Sequence, residues 1–267
     1  MKRVITAAIL LPILLLAVWS SEPLYFFAMA TVAVILGLRE FYILAEKAGC
    51  RCHRAIGYAA AIVVMVGFYR GDAELVLAAL LIHYGGEMFL WLITEKRFDT
   101  ALVSTSASVA GVVYVAVFLG FLVLVRGDAS DAAPRLLTLG FAIIMAGDTG
   151  AYYVGRLMGR RKLAPHVSPA KTVEGSVGGL AASFLAAAIS KGTFFPDIPW
   201  AHLLVLATIV NIVGQIGDLI ESMLKRGSQV KDAAALLPGH GGMLDRLDSI
   251  IFNAPIIYLY FHFFYHR

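Results

Sequence analysis

Residues 101–125 read ALVSTSASVAGVVYVAVFLGFLVLV, an unbroken run without one charged side chain. A run this long exceeds the ~20 apolar residues that carry a helix across the hydrocarbon core of a bilayer. In lipid every backbone N–H and C=O must be satisfied within the segment, so the run reads as a membrane-spanning helix. Comparable apolar runs, bounded by charges or turn residues, lie at 4–19, 24–44, 56–69, 75–94, 136–158, 177–189, 203–224 and 250–264. The expectation is an all-α, polytopic integral membrane helical bundle with about nine transmembrane helices, some of them short for a bilayer. Composition agrees: of 267 residues, 60% are hydrophobic and 15% charged, and mean hydropathy is +0.80. A water-soluble domain is about 45–50% apolar and about 25% charged. No polar or Pro/Ser-rich linker interrupts the chain, so residues 1–267 read as one membrane-embedded domain. Small residues crowd at Ala107, Ala110 and Gly111 and at Gly175, Gly178 and Gly179, which suits close helix packing in lipid.

Charge in the loops sets the expected orientation. With the N-terminus placed in the cytoplasm, Lys and Arg gather on the inner side. Only Arg70, Arg126, Arg135, Lys191 and Arg267 fall outside, and Arg39 lies within the second run. The reading is therefore a multi-pass protein of the cell membrane, the bacterial cytoplasmic membrane in the first instance, with its N-terminus inside and its C-terminus outside. The net charge of +4 belongs to one membrane face, where anionic headgroups and nucleotides are met, and does not argue for nucleic acid. Lys2 and Arg3 before an apolar run mimic a signal peptide, but no convincing cleavage site follows Trp19. Cys50 and Cys52 flank Arg51 beside His53. They lack the further ligands a metal site needs and read as two free thiols in a short loop.

Chemistry concentrates in residues 146–248. Asp148, Tyr152 and Arg156 recur at i, i+4 and i+8 on one face of an apolar helix, with Asp148 about 12 Å from Arg156 along the axis. An acid at that depth is costly unless it faces a polar cavity, a cation or a paired base. The basic cluster Arg160, Arg161 and Lys162 has a plain reading as inner-side charge. Ser168-Pro169 signals a turn or a helix start. Lys171 and Thr172 then stand where free helix N–H groups suit phosphate oxygens or simple capping. Asp218, Glu221, Ser222 and Lys225 share one face of the eighth run. A flexible turn, Pro238-Gly-His-Gly-Gly242, leads to Asp245, Arg246 and Asp248. Singly, His240 reads as structural, Arg246 as an ion-pair partner and Asp248 as a helix cap. Together they alternate carboxylates with cations, which is what Mg²⁺–triphosphate chemistry requires.

The stretch from Ser222 to Asp248 resembles the signature of phosphatidate cytidylyltransferases: Ser222, Lys225-Arg226, Lys231-Asp232, Pro238, His240-Gly241-Gly242, Asp245-Arg246 and Asp248 stand at that family's spacing. The segments 146–156 and 168–175 resemble its upstream elements. One departure is Ala170, where relatives carry a basic residue. The resemblance implies transfer of CMP from CTP to phosphatidate, giving CDP-diacylglycerol and pyrophosphate. It implies Asp218 and Asp245 as ligands of Mg²⁺, which a K⁺ ion can accompany, and Lys225, Arg226, Asp148 and His240 as catalytic residues. It implies substrate contacts at Ser168, Lys171, Thr172, Ser222, Lys231, Asp232, Gly241, Gly242 and Arg246. The implied partners are CTP, phosphatidate and the bilayer, with a homodimer admissible and no nucleic acid. A membrane lipid kinase, or a nucleotidyltransferase acting on polyprenyl or ether lipids, would share such a site. A transporter would be expected to show paired broken helices in two repeated halves.

Overall fold

A computed structural model describes the backbone of residues 2–95, 98–230 and 242–265, with side chains described from residue 10 onward. The helices are α1 (Lys2–Trp19), α2 (Pro23–Lys47), α3 (Arg54–Arg70), α4 (Ala73–Thr94), α5 (Ala101–Gly111), α6 (Phe118–Gly127), α7 (Ala132–Met158), α8 (Val173–Thr193), α9 (Trp200–Gly227) and α10 (Leu244–Phe264). A π-helical segment, Val112–Val117, joins α5 to α6, so residues Ala101–Gly127 form one span. Each expected apolar run falls on a helix, and the protein is a multi-pass, all-α membrane protein. Among the described residues, seven helices are long and apolar enough to cross a bilayer. With 17 residues, α3 is shorter than these seven.

A second difference is local. Ser168 and Pro169 start no helix. They open a strand, β2 (Ser168–Thr172), paired antiparallel with β1 (Lys162–Ala164) through Lys162↔Thr172 and Ala164↔Ser168. A two-stranded ribbon consists of edge strands, where proline's missing N–H costs nothing. The helix begins beyond it at Val173, and Thr172 caps it by accepting the Gly175 N–H at 3.1 Å.

The chain divides into two compact units. The first comprises Met1–Gly127 and Leu224–Leu247. Its core is built on glycines that admit aromatic rings. A Cβ at Gly111 would meet the Phe41 ring at 2.7 Å, and one at Gly57 would overlap the Tyr42 side chain. Glu87 of α4 is fully buried, with one oxygen 2.7 Å from His53 Nδ1 and the other accepting from Ser108 Oγ at 2.5 Å. Burial pushes the Cys52 thiol, in the loop between α2 and α3, up to about 12, and raises Cys50 as well. Both cysteines are free.

The second unit comprises Asp128–Met223 and Asp248–Arg267. Here α7 and α8 lie almost backbone to backbone. A Cβ at Gly150 would stand 2.8 Å from the Gly178 carbonyl oxygen, and one at Gly175 2.8 Å from that of Ala151. The small residues singled out in the sequence thus mark a close helix contact. Polar side chains tie the remaining helices: Asn211 donates to Ser183 at 2.9 Å, Ser183 to the Ile143 carbonyl at 3.1 Å, and Asn253 to the Val210 carbonyl at 3.0 Å. In lipid such bonds carry helix association that hydrophobic burial cannot supply.

Candidate active site

In the second unit, α9 and α10 touch at Gly217, where a Cβ would stand 2.5 Å from the Asp248 carbonyl oxygen. Only a residue without a side chain lets the two backbones approach so closely. The contact sets Asp218, the next residue on α9, beside Asp248 on α10. Asp218, Glu221 and Asp248 each present a carboxylate oxygen, and the three oxygens lie within 4.8 Å of one another. Glu221 is buried and the two aspartates are half-buried.

Lys171, the fourth residue of β2, places Nζ 2.6 Å from Asp218 Oδ2. Asp148 on α7 joins the group: Ser249 hydrogen-bonds its carboxylate, and Asp218 and Lys171 act on it electrostatically. Arg156, the partner that helix spacing suggested for Asp148, instead donates to Tyr152 at 3.2 Å. The ribbon that carries Lys171 is held at its base by Glu174, whose carboxylate accepts the Arg160 N–H at 3.0 Å and the Arg161 N–H at 3.2 Å. Thr172 is buried in its capping role, and Ser168 is half-buried at the head of the strand. Ser222 is half-buried one residue beyond Glu221.

Octahedral Mg²⁺ at about 2.1 Å from its ligands places them about 3 Å apart when adjacent and about 4.2 Å when opposite. Three carboxylate oxygens mutually within 4.8 Å fit a hard divalent cation with little adjustment. The donor set is all oxygen and anionic, which suits Mg²⁺ over softer metals.

The first unit holds the other half of the sequence-derived set. Lys225 Nζ lies 2.6 Å from Asp245 Oδ1, and Asp245 Oδ2 accepts the Gly242 N–H at 2.7 Å. Arg226 and Arg246 are exposed. Lys231, Asp232, His240 and Gly241 lie outside the described residues. The structure thus gathers Asp218 with Asp148, Lys171 and Asp248, and Asp245 with Lys225 and Gly242.

Three participants carry no site role in the sequence reading. Glu221 lies on the Asp218 face of α9 and Asp248 reads as a helix cap, and their meeting depends on the α9–α10 contact. Glu40 of α2 is fully buried and accepts the Met243 and Leu244 N–H groups at 2.8 and 2.7 Å. The signal that could have found it is an acid inside an apolar helix, which is rare without a purpose.

Comparison with known proteins bears on this arrangement. A family model described as "Cytidylyltransferase family" matches residues 1–264. The chain is 32% identical to a phosphatidate cytidylyltransferase of Synechocystis sp., over 97% of this chain and 94% of the relative. It is 33% identical to one of Brucella suis, over 97% and 92%. A Bacillus subtilis relative of the same name is 47% identical over 116 residues, 43% of each chain. The matched stretch therefore spans less than half of the Bacillus relative, and nearly all of the other two.

Proposed function

The chain belongs to the cytidylyltransferase family, and on that premise we propose that it transfers CMP from CTP to phosphatidate, releasing pyrophosphate and leaving CDP-diacylglycerol in the membrane. The observation that carries the reading is the gathering of Asp218, Glu221 and Asp248 within 4.8 Å, with Lys171 on Asp218, inside a membrane-spanning chain. A phosphate oxygen of phosphatidate forms the new bond to the α-phosphorus of CTP, and the bond to the bridging oxygen breaks as pyrophosphate departs. Phosphatidate is already anionic near neutral pH, so no side chain need remove a proton. Positioning and charge stabilisation carry such a reaction.

Lys171 binds a phosphate oxygen at the acid cluster, oriented by its ion pair with Asp218. Lys225, Arg226 and Arg246 bind the phosphates of CTP and the lipid, and Ser168 and Ser222 offer hydroxyl donors. Thr172 acts by starting α8 and fixing the strand that presents Lys171. Asp218, Glu221 and Asp248 would hold Mg²⁺, and Asp245 is the second acid that the resemblance pairs with Asp218. When bound, the cation, with K⁺ as an admissible companion, would neutralise charge on the phosphate oxygens. We place this site at the cytoplasmic face of a bacterial cytoplasmic membrane, the side on which Lys and Arg gather.

The test is product analysis in detergent with phosphatidate and CTP. Label at the α-phosphorus of CTP should enter the lipid fraction, and label at the γ-phosphorus should leave as pyrophosphate. Transfer of the γ-label to lipid would identify a lipid kinase instead and overturn the reading.

A further inference from the structure

The turn that opens α10 is held from another helix. An α-helix leaves its first N–H groups without partners, and a Ser, Thr, Asp or Asn at the cap position usually satisfies one of them. The residue at that position here is Met243, whose carbonyl accepts the Arg246 and Leu247 N–H groups at 2.9 and 3.2 Å. Its side chain has no oxygen to offer. Glu40, about two hundred residues earlier, reaches in from α2. One carboxylate oxygen takes the Met243 N–H at 2.8 Å and the other takes the Leu244 N–H at 2.7 Å.

The neighbouring glycine fits the same carboxylate. A Cβ at Gly242 would stand 2.8 Å from Glu40 Cδ and would overlap its Oε2. The glycine leaves room for the clamp. Gly242 in turn donates its own N–H to Asp245 at 2.7 Å, and the second oxygen of Asp245 takes Lys225 at 2.6 Å. The chain of contacts is continuous, from Glu40 to the backbone of 243 and 244, to the Asp245 carboxylate, to the Lys225 ammonium.

A fully buried carboxylate inside an apolar helix is expensive, and a side chain at the cap position would bond an N–H two or three residues further on, not those of Met243 and Leu244. A cross-helix carboxylate adds a fixed point. It holds the turn, and with it the direction of Asp245, against a helix that takes no other part in the site. We propose that Glu40 is a positioning residue for the cytidylyl transfer, acting through the Met243–Leu244 backbone to hold Asp245 and Lys225 in their working orientation. The inference rests on the transfer reaction proposed above.

The experiment compares Glu40→Gln with Glu87→Gln in the full-length enzyme. Glu87 is as buried as Glu40 but bonds to His53 and Ser108. A glutamine at 40 offers one acceptor and turns an N–H₂ group toward the other backbone N–H. Assays run on monodisperse protein below the melting temperature of each variant, with cytidylyl transfer measured per folded molecule. Glu40→Gln should lose tenfold or more in kcat, with KM for phosphatidate within about twofold of wild type. Hydrogen exchange at the Met243 and Leu244 amides should accelerate. Glu87→Gln should lower the melting temperature while kcat stays within about twofold. If Glu40→Gln yields no folded protein, Glu40→Asp, one methylene too short to reach both amides, is measured with the same expectation. A Glu40 variant with kcat within twofold of wild type, or an equal fall in Glu87→Gln, overturns the positioning role. A wild-type enzyme that transfers no CMP overturns the reaction itself and the inference with it, an outcome distinct from an active wild type and an unaffected variant.

Discussion

Gly217→Ala sets two opposed effects against each other at the acid cluster. In an open helix interior, glycine to alanine stabilises by about 1 kcal/mol, because alanine has less backbone freedom to lose. At Gly217 the new methyl would lie 2.5 Å from the Asp248 carbonyl oxygen and 3.2 Å from the Phe252 ring. Carbon–oxygen contacts settle at about 3.3 Å or more, so α10 must retreat by about 0.8 Å. The obstacle is backbone and cannot rotate away. Overpacking of this kind costs about 1–3 kcal/mol, which matches or exceeds the gain. Function should suffer more than stability. A metal site tolerates ligand displacements of about 0.2 Å, and the retreat carries Asp248 away from Asp218 by several times that. The assay is cytidylyl transfer across a Mg²⁺ titration, beside thermal unfolding in detergent. Gly217→Ala should retain a melting transition within a few degrees of wild type and need at least tenfold more Mg²⁺ for half-maximal rate. Gly85→Ala, in α4 with nothing within 4 Å of its Cβ, is the control and should be neutral or slightly stabilising with a normal Mg²⁺ response. Wild-type Mg²⁺ dependence in Gly217→Ala would refute the placement of the metal between α9 and α10.

Three other outcomes are expected. Asp218→Asn and Asp245→Asn should each abolish turnover while the protein remains folded in the membrane; near-normal activity with an intact Mg²⁺ response in either variant would remove that acid from the site. The Cys52 thiol, pushed up to about 12 by burial, carries a thiolate fraction at pH 8 about a thousandfold below that of an ordinary thiol. Since the thiolate is the nucleophile, alkylation should be slow at pH 8 and rise about tenfold per pH unit toward pH 11; rapid labelling of folded protein at pH 8 would contradict the burial. Reporter fusions after Ala129 and Lys162 should report outside and inside respectively, and a Lys162 fusion on the outer side would reverse the orientation drawn from loop charge.

The membrane helices were legible because lipid makes each span a local problem. A helix in hydrocarbon satisfies its own backbone, so an apolar run identifies it without knowledge of its neighbours. Length is least decisive at 56–69, which is apolar and helical, yet α3 has 17 residues and is shorter than the helices long enough to span. The ribbon of Lys162–Ala164 and Ser168–Thr172 escaped notice because strands of three and five residues are too short to show a period. Within the site, Asp148, Lys171, Asp218 and Asp245 stood out as charges in an apolar chain, and the structure gives each a charged neighbour. Glu40 carried the same signal but stands far from the signature residues in sequence, and nothing local ties it to a turn beginning at Gly242.

What the sequence determined by itself is the class of molecule and the inventory of its chemistry. Sixty per cent apolar residues in long runs demand a lipid solvent, and the acids and bases that interrupt those runs are too costly there to be incidental. What only the tertiary structure decided is which of them meet. Asp148 could have turned to Arg156 on its own helix, and it accepts from Ser249 instead. Asp248 could have been a simple cap, and the bare backbone of Gly217 brings it beside Asp218 and Glu221. Glu40 could have paired with Arg39, and it holds the start of α10. Helical periodicity gives the face on which a side chain lies. The partner on that face is set by helix contacts between residues distant in the chain, and those depend on where glycines let one backbone approach another.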